Sequence, residues 1–60
     1  MPNEMLRITR MNIEEAEKEL KKAEELLKRL KLAGEDVREL EAAHRLAKLR
    51  LQKWKKAFKD

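Results

Sequence analysis

The sequence predicts an all-α fold, an antiparallel two-helix hairpin, on three observations. Apolar residues recur at alternating steps of three and four along residues 13–33, a second such run occupies 37–59, and the chain's one glycine, Gly34, lies between them. Steps of three and four keep side chains on one stripe of a helix, and a stripe needs a neighbour to cover it. Two stripes joined by a short turn can cover each other only if the helices run antiparallel.

The first twelve residues admit two readings. Asn12 followed by Glu15 has the spacing of a capping box, which would start the helix there and leave MLRITRM extended. Leu6 and Ile8 would then point to one side and Arg7 and Thr9 to the other, as in a short strand. Alternatively, Pro2 and Asn3 open a helix that runs straight through Asn12, because Leu6 keeps the phase of Ile13 and Leu20. The continuous or slightly broken helix is the favoured reading for residues 3–11.

Residues 13–33 are a Glu/Lys/Ala/Leu segment whose stripe is Ile13, Ala16, Leu20, Ala23, Leu27 and Leu30. Its polar positions include four Glu-before-Lys/Arg pairs four residues apart: Glu14/Lys18, Glu17/Lys21, Glu24/Lys28 and Glu25/Arg29. Each would add roughly 0.2–0.5 kcal/mol to a helix. Gly34 reads as the residue just past the helix end, and Asp36 as the cap of the next helix, with Glu39 completing a capping box. The second stripe is Val37, Leu40, His44, Ala47, Leu51, Trp54 and Phe58. Antiparallel packing sets Leu27 near Leu40, Ala23 near His44, Leu20 near Ala47, Ala16 near Leu51 and Ile13 near Trp54. These thirteen positions form the expected core of a single domain, 1–60.

Composition narrows function by exclusion. Charged residues make up 47% of the chain, but 14 of its 60 residues are Leu, Ile, Val or Phe at helical spacing, which argues against disorder. Without cysteine there is neither a disulfide nor a thiolate metal site. The longest apolar run is too short to span a bilayer, and residues 1–12 lack a signal peptide's apolar centre; a soluble protein without a targeting signal is expected, its compartment unknown. Serine, cysteine and tyrosine are absent, and the lone hydroxyl, Thr9, is far along the hairpin from His44, so nucleophilic catalysis is not expected. One glycine rules out a phosphate-cradling loop. Glu41 and His44 have the Glu-x-x-His spacing of a helical metal site, yet the positions opposite are apolar, and one His with one carboxylate falls short of a ligand set. His44 is read instead as a seam residue with a ring nitrogen bonded to a neighbour. No cofactor and no enzymatic activity are expected.

Charge is unevenly distributed. Residues 1–12 sum to +1, 13–33 to zero, 34–44 to −3 and 45–60 to +6. In an antiparallel hairpin Arg7 and Arg10 are then expected to join Lys48, Arg50, Lys53, Lys55, Lys56 and Lys59 at the end away from the turn, where lysines also offset the dipole of the second helix. Off the seam, Ala42, Leu46 and Leu49 form a second apolar stripe, and Met5, Ile8 and Met11 join them if the first segment is helical. Two such clusters on an otherwise polar exterior suggest a partner surface.

In composition and capping, EEAEKELKKAEELLKRLK leading into AGED, residues 13–43, resemble a de novo designed helical miniprotein. That resemblance carries over no functional residue. It implies that departures from the Glu/Lys/Ala/Leu/Arg alphabet, such as Met5, Ile8, Thr9, Met11, Asn12, His44, Gln52, Trp54 and Phe58, serve a purpose. LRITRMN ahead of two helices is similar to ribbon-helix-helix DNA-binding dimers, which would aim Arg7 and Thr9 at bases, although Arg10 falls where that strand buries an apolar residue. The expected function is non-enzymatic protein–protein association through an apolar face, with another protein or with a second copy in a four-helix bundle. Nucleic-acid binding through the basic end is the rival; one Trp and one Phe, both in the seam, leave it no stacking platform.

Overall fold

A computed structural model describes residues 2–59. Helix α1 spans Pro2–Leu32 and helix α2 spans Arg38–Ala57, and among the described residues there is no strand. The all-α hairpin expected from the sequence is the architecture found. At 1.5 Å per residue the helices are about 46 and 30 Å long, and they lie side by side in a body of 51 × 15 × 13 Å.

Helix α1 runs through Asn12 without a break, so neither the cap at Asn12 nor the strand over residues 3–11 forms. The ribbon-helix-helix likeness loses its strand with it. The physical reason is cooperativity: lengthening a helix adds a hydrogen bond for each residue fixed, whereas a lone strand has nothing to pair with. Thr9 fits the helix by donating its hydroxyl to the Met5 carbonyl one turn earlier, at 2.9 Å.

The turn forms around Gly34. The Glu35 N–H donates to the Leu30 carbonyl and the Gly34 N–H to the Lys31 carbonyl, both at 3.0 Å, which is a Schellman ending. Gly34 has φ +85°, where any side chain would be strained. The start of α2 departs slightly from expectation. The regular helix begins at Arg38, Val37 holds the cap position without a side-chain bond, and Asp36 stands one residue earlier. Asp36 still receives the Arg38 N–H at 3.1 Å and takes the Arg38 guanidinium on both carboxylate oxygens, at 3.1 and 2.9 Å. Those bonds hold its carboxyl below the usual aspartate range, the guanidinium contributing most and the backbone N–H next. Asp36 accepts from the Arg38 N–H rather than from that of Glu39, and among the described residues no hydrogen bond returns from Glu39, so the expected capping box is not made.

Burial is sparse. Among the described residues the buried apolar side chains are Ile13, 8% exposed, and Val37, 4% exposed, one toward each end of α2. Ala16, Leu20, Ala23, Leu27, Leu30, His44 and Leu51 are half-buried. Leu40, Ala47, Trp54 and Phe58, expected in the core, are exposed instead. Two cylinders touch along one line, and a side chain on the flank of that line is covered from one direction only. The four expected Glu–Lys/Arg pairs are likewise not made. Glu17 and Glu24 reach across to α2, while the pairs within α1 are three apart: Glu4–Arg7 at 2.7 Å, Glu15–Lys18 at 3.9 Å and Glu19–Lys22 at 3.8 Å.

The surface left over is large. The chain exposes 5641 Å², whereas a compact protein of its 7.2 kDa exposes about 4,100 Å² and its unfolded chain about 10,400 Å². Folding into this hairpin thus hides less than half of the chain, where a domain of this size ordinarily hides about 60%.

A candidate interaction surface on one side of the hairpin

The two sides of the helix–helix seam differ. On one side, lysines and glutamates close it: Lys55 meets Glu17 at 2.8 Å, Lys31 meets Glu41 at 3.2 Å and Lys48 lies 3.9 Å from Glu24. His44 sits among them and bonds the helices directly, its Nε2–H donating to the Leu20 carbonyl at 3.0 Å. That bond requires the proton on Nε2 and matches the seam role expected for His44. Glu41 and His44 are therefore engaged with Lys31 and Leu20 rather than with each other. At the open end, the Arg10 Nε donates to the Phe58 carbonyl at 3.4 Å, a cation at the end of α2 where carbonyls lack partners.

On the other side the seam opens into an apolar groove of about 680 Å³. Ile13, Ala16, Leu20 and Ala23 of α1 and Ala47, Leu51 and Trp54 of α2 line it, with Asn12, Glu19 and Arg50 at its polar edges. Among the described residues no ion pair bridges the helices over it. The groove exists because α1 places alanine at 16 and 23 and α2 places it at 47: small residues bring the helices close and leave a channel beside the line of contact. Trp54, 52% exposed, stands in its wall, its ring 5.8 Å from that of Phe58 and tilted by 46°. The exposed half of the indole is apolar surface with nothing yet against it.

Helical spacing extends this face beyond the groove. On α1, Met5 and Ile8 precede Ala16 on the same side, and Leu26 follows Ala23 by three. On α2, Leu40 precedes Ala47 by two turns and Leu46 precedes Arg50 by one. All five of these large side chains are exposed. Of the expected partner-facing residues, Met5, Ile8 and Leu46 share the groove side; Met11, Ala42 and Leu49 are also exposed but turned away from it. Sequence reasoning missed Leu26 and took Leu40 and Trp54 for core. The signal for Leu26 was its spacing of three from Ala23 and four from Leu30.

Helix α1 also outreaches its neighbour. Because α2 ends beside Arg10, residues 2–9 form about two turns with no length of α2 alongside. Met5, 71% exposed, and Ile8 lie on that overhang. Among the described residues no helix is long and apolar enough to cross a membrane, and no cluster of three or more His, Cys, Asp or Glu residues could hold a metal ion. Comparisons with protein-family models, curated proteins and solved structures find no match.

Proposed function

We propose that this chain is a non-enzymatic protein-interaction module of designed style, and that its working surface is the groove side of the hairpin. The observation that carries the reading is the mismatch between surface and size: about 1,500 Å² more than a compact chain exposes, with Met5, Ile8, Leu26, Leu40, Leu46 and Trp54 exposed on the groove side, while Met11, Leu32 and Leu49 are exposed elsewhere. Monomeric proteins rarely show contiguous apolar patches beyond a few hundred Å². A helix laid in the groove would cover Trp54, Leu51 and the three alanines at once, supplying the third position of a helical bundle. Aromatic anchors such as Trp54 dominate the energetics of surfaces of this kind.

The chain's one tryptophan makes the test direct. Amphipathic helical peptides titrated against the chain should blue-shift Trp54 emission, and Ala47→Arg, which fills the groove from an exposed helical position, should abolish the shift without loss of far-UV helicity. If no peptide shifts Trp54 and the chain also fails to associate with itself, or if association survives Ala47→Arg unchanged, the reading is lost.

The charge of the open end supports one rival, nucleic-acid binding. Several of the cations concerned are engaged within the protein: Lys48 and Lys55 with glutamates and Arg10 with the Phe58 carbonyl. Binding of duplex DNA that weakens steeply with salt and is indifferent to Ala47→Arg would favour the rival.

A further inference from the structure

We infer that the occupant of the groove is a second copy of this chain, laid head to tail against the first in a four-helix bundle. The inference rests on the groove side being the working surface and adds to it a partner and an orientation.

Two features point the same way. The first is shape along the face. Large side chains stand at its two ends, Met5 and Ile8 on the overhang and Leu26 and Leu40 toward the turn, while the middle is an alanine-lined channel with Trp54 in its wall. Head-to-tail pairing lays the overhang of one copy along the turn end of the other, so the two turns with no length of α2 alongside acquire a neighbour. The same operation carries Trp54 over the partner's alanine-lined channel.

The second feature is area. Two free copies expose twice 5641 Å², while a compact protein of twice the mass exposes about 6,800 Å². The difference, about 2,200 Å² per copy, leaves ample room above the roughly 800 Å² per partner of a standard-size interface. A foreign helix no longer than the groove, which runs from Asn12 to Ala23 on α1, would leave the overhang and Leu26 uncovered.

Light scattering coupled to gel filtration, run on the full chain over a range of micromolar concentrations, should give twice the 7.2 kDa chain mass. Ala47→Arg should raise the dissociation constant at least tenfold while far-UV helicity is kept. Orientation is read with nitroxide labels, unambiguous because the chain has no native cysteine. Two copies of Glu35→Cys should show a separation comparable to the 51 Å length of the body, and a mixture of Asn3→Cys and Glu35→Cys copies should show an added short distance. A short distance between two Glu35→Cys labels overturns the head-to-tail arrangement, and a dimer untouched by Ala47→Arg overturns the groove as its interface. A monomer at every concentration overturns the second copy; whether peptides still shift Trp54 then shows if the broader interaction reading survives.

Discussion

Ile13→Ala and Val37→Ala test whether this hairpin is held at two points. Ile13 and Val37 are the buried apolar side chains of the described chain, near opposite ends of α2. Truncation to alanine removes three carbons at Ile13 and two at Val37, so at about 0.8 kcal/mol per methylene the transfer losses are about 2.4 and 1.6 kcal/mol. Ile13 borders both the apolar groove and a second depression beside Phe58. The space left by its truncation therefore opens to water, and the cavity contribution that raises such losses in closed cores should be small. The assay is urea unfolding followed by far-UV circular dichroism, at a concentration where light scattering reads one species for all variants. Leu49→Ala serves as the control, since Leu49 is exposed on the far side. If Ile13→Ala changes stability by no more than Leu49→Ala, the contact at Ile13 does not hold the helices together. The reasoning from burial would then be wrong.

Gly34→Ala should destabilise the hairpin by about 1–2 kcal/mol through backbone strain at positive φ; because nothing lies within 4 Å of an added Cβ, D-alanine at the same position, reached by synthesis, should recover the stability in thermal melts. Asp36 gives the start of α2 an acid dependence. Its carboxyl is held below its ordinary value of 3.8, so the stabilisation is complete above that value and is lost as pH falls through the lowered one. An NMR titration of the Arg38 amide should follow this loss, and Asp36→Asn should flatten it. Glu17→Gln, Glu24→Gln and Glu41→Gln together should lower stability by only about 1 kcal/mol, because exposed pairs are individually weak; a larger loss in urea titrations would show that the closed side does more than set the register.

The hairpin was legible because its strongest signals are local. Gly34 needs positive φ, Asp36 needs a donor, and the three-and-four stripe from Ile13 to Leu30 needs a covered side, each readable without knowing the rest of the chain. The fate of Leu40, Ala47, Trp54 and Phe58 was not legible in the same way. Periodicity says which side of a helix is apolar, but not how far around the cylinder a single neighbour can reach, and here it reaches only part of the stripe. The i,i+4 charge pairs failed for a related reason. Glu17 and Glu24 have lysines within reach on both helices, and a choice between them depends on the register of α2, which local sequence does not encode. Residues 2–12 carried balanced signals, and the balance tipped because an established helix extends more easily than a strand forms alone.

The overhang sets a gradient along α1. Beyond Arg10 each successive amide toward the chain start has fewer neighbours to hold it, so opening by fraying should grow steadily through Ile8 and Met5. Deuterium would enter there first and reach Leu20 and Ala23 last. Whatever settles on Met5 and Ile8 must stop that fraying, which makes the exchange rates of a few early amides a reporter of occupancy for the entire face.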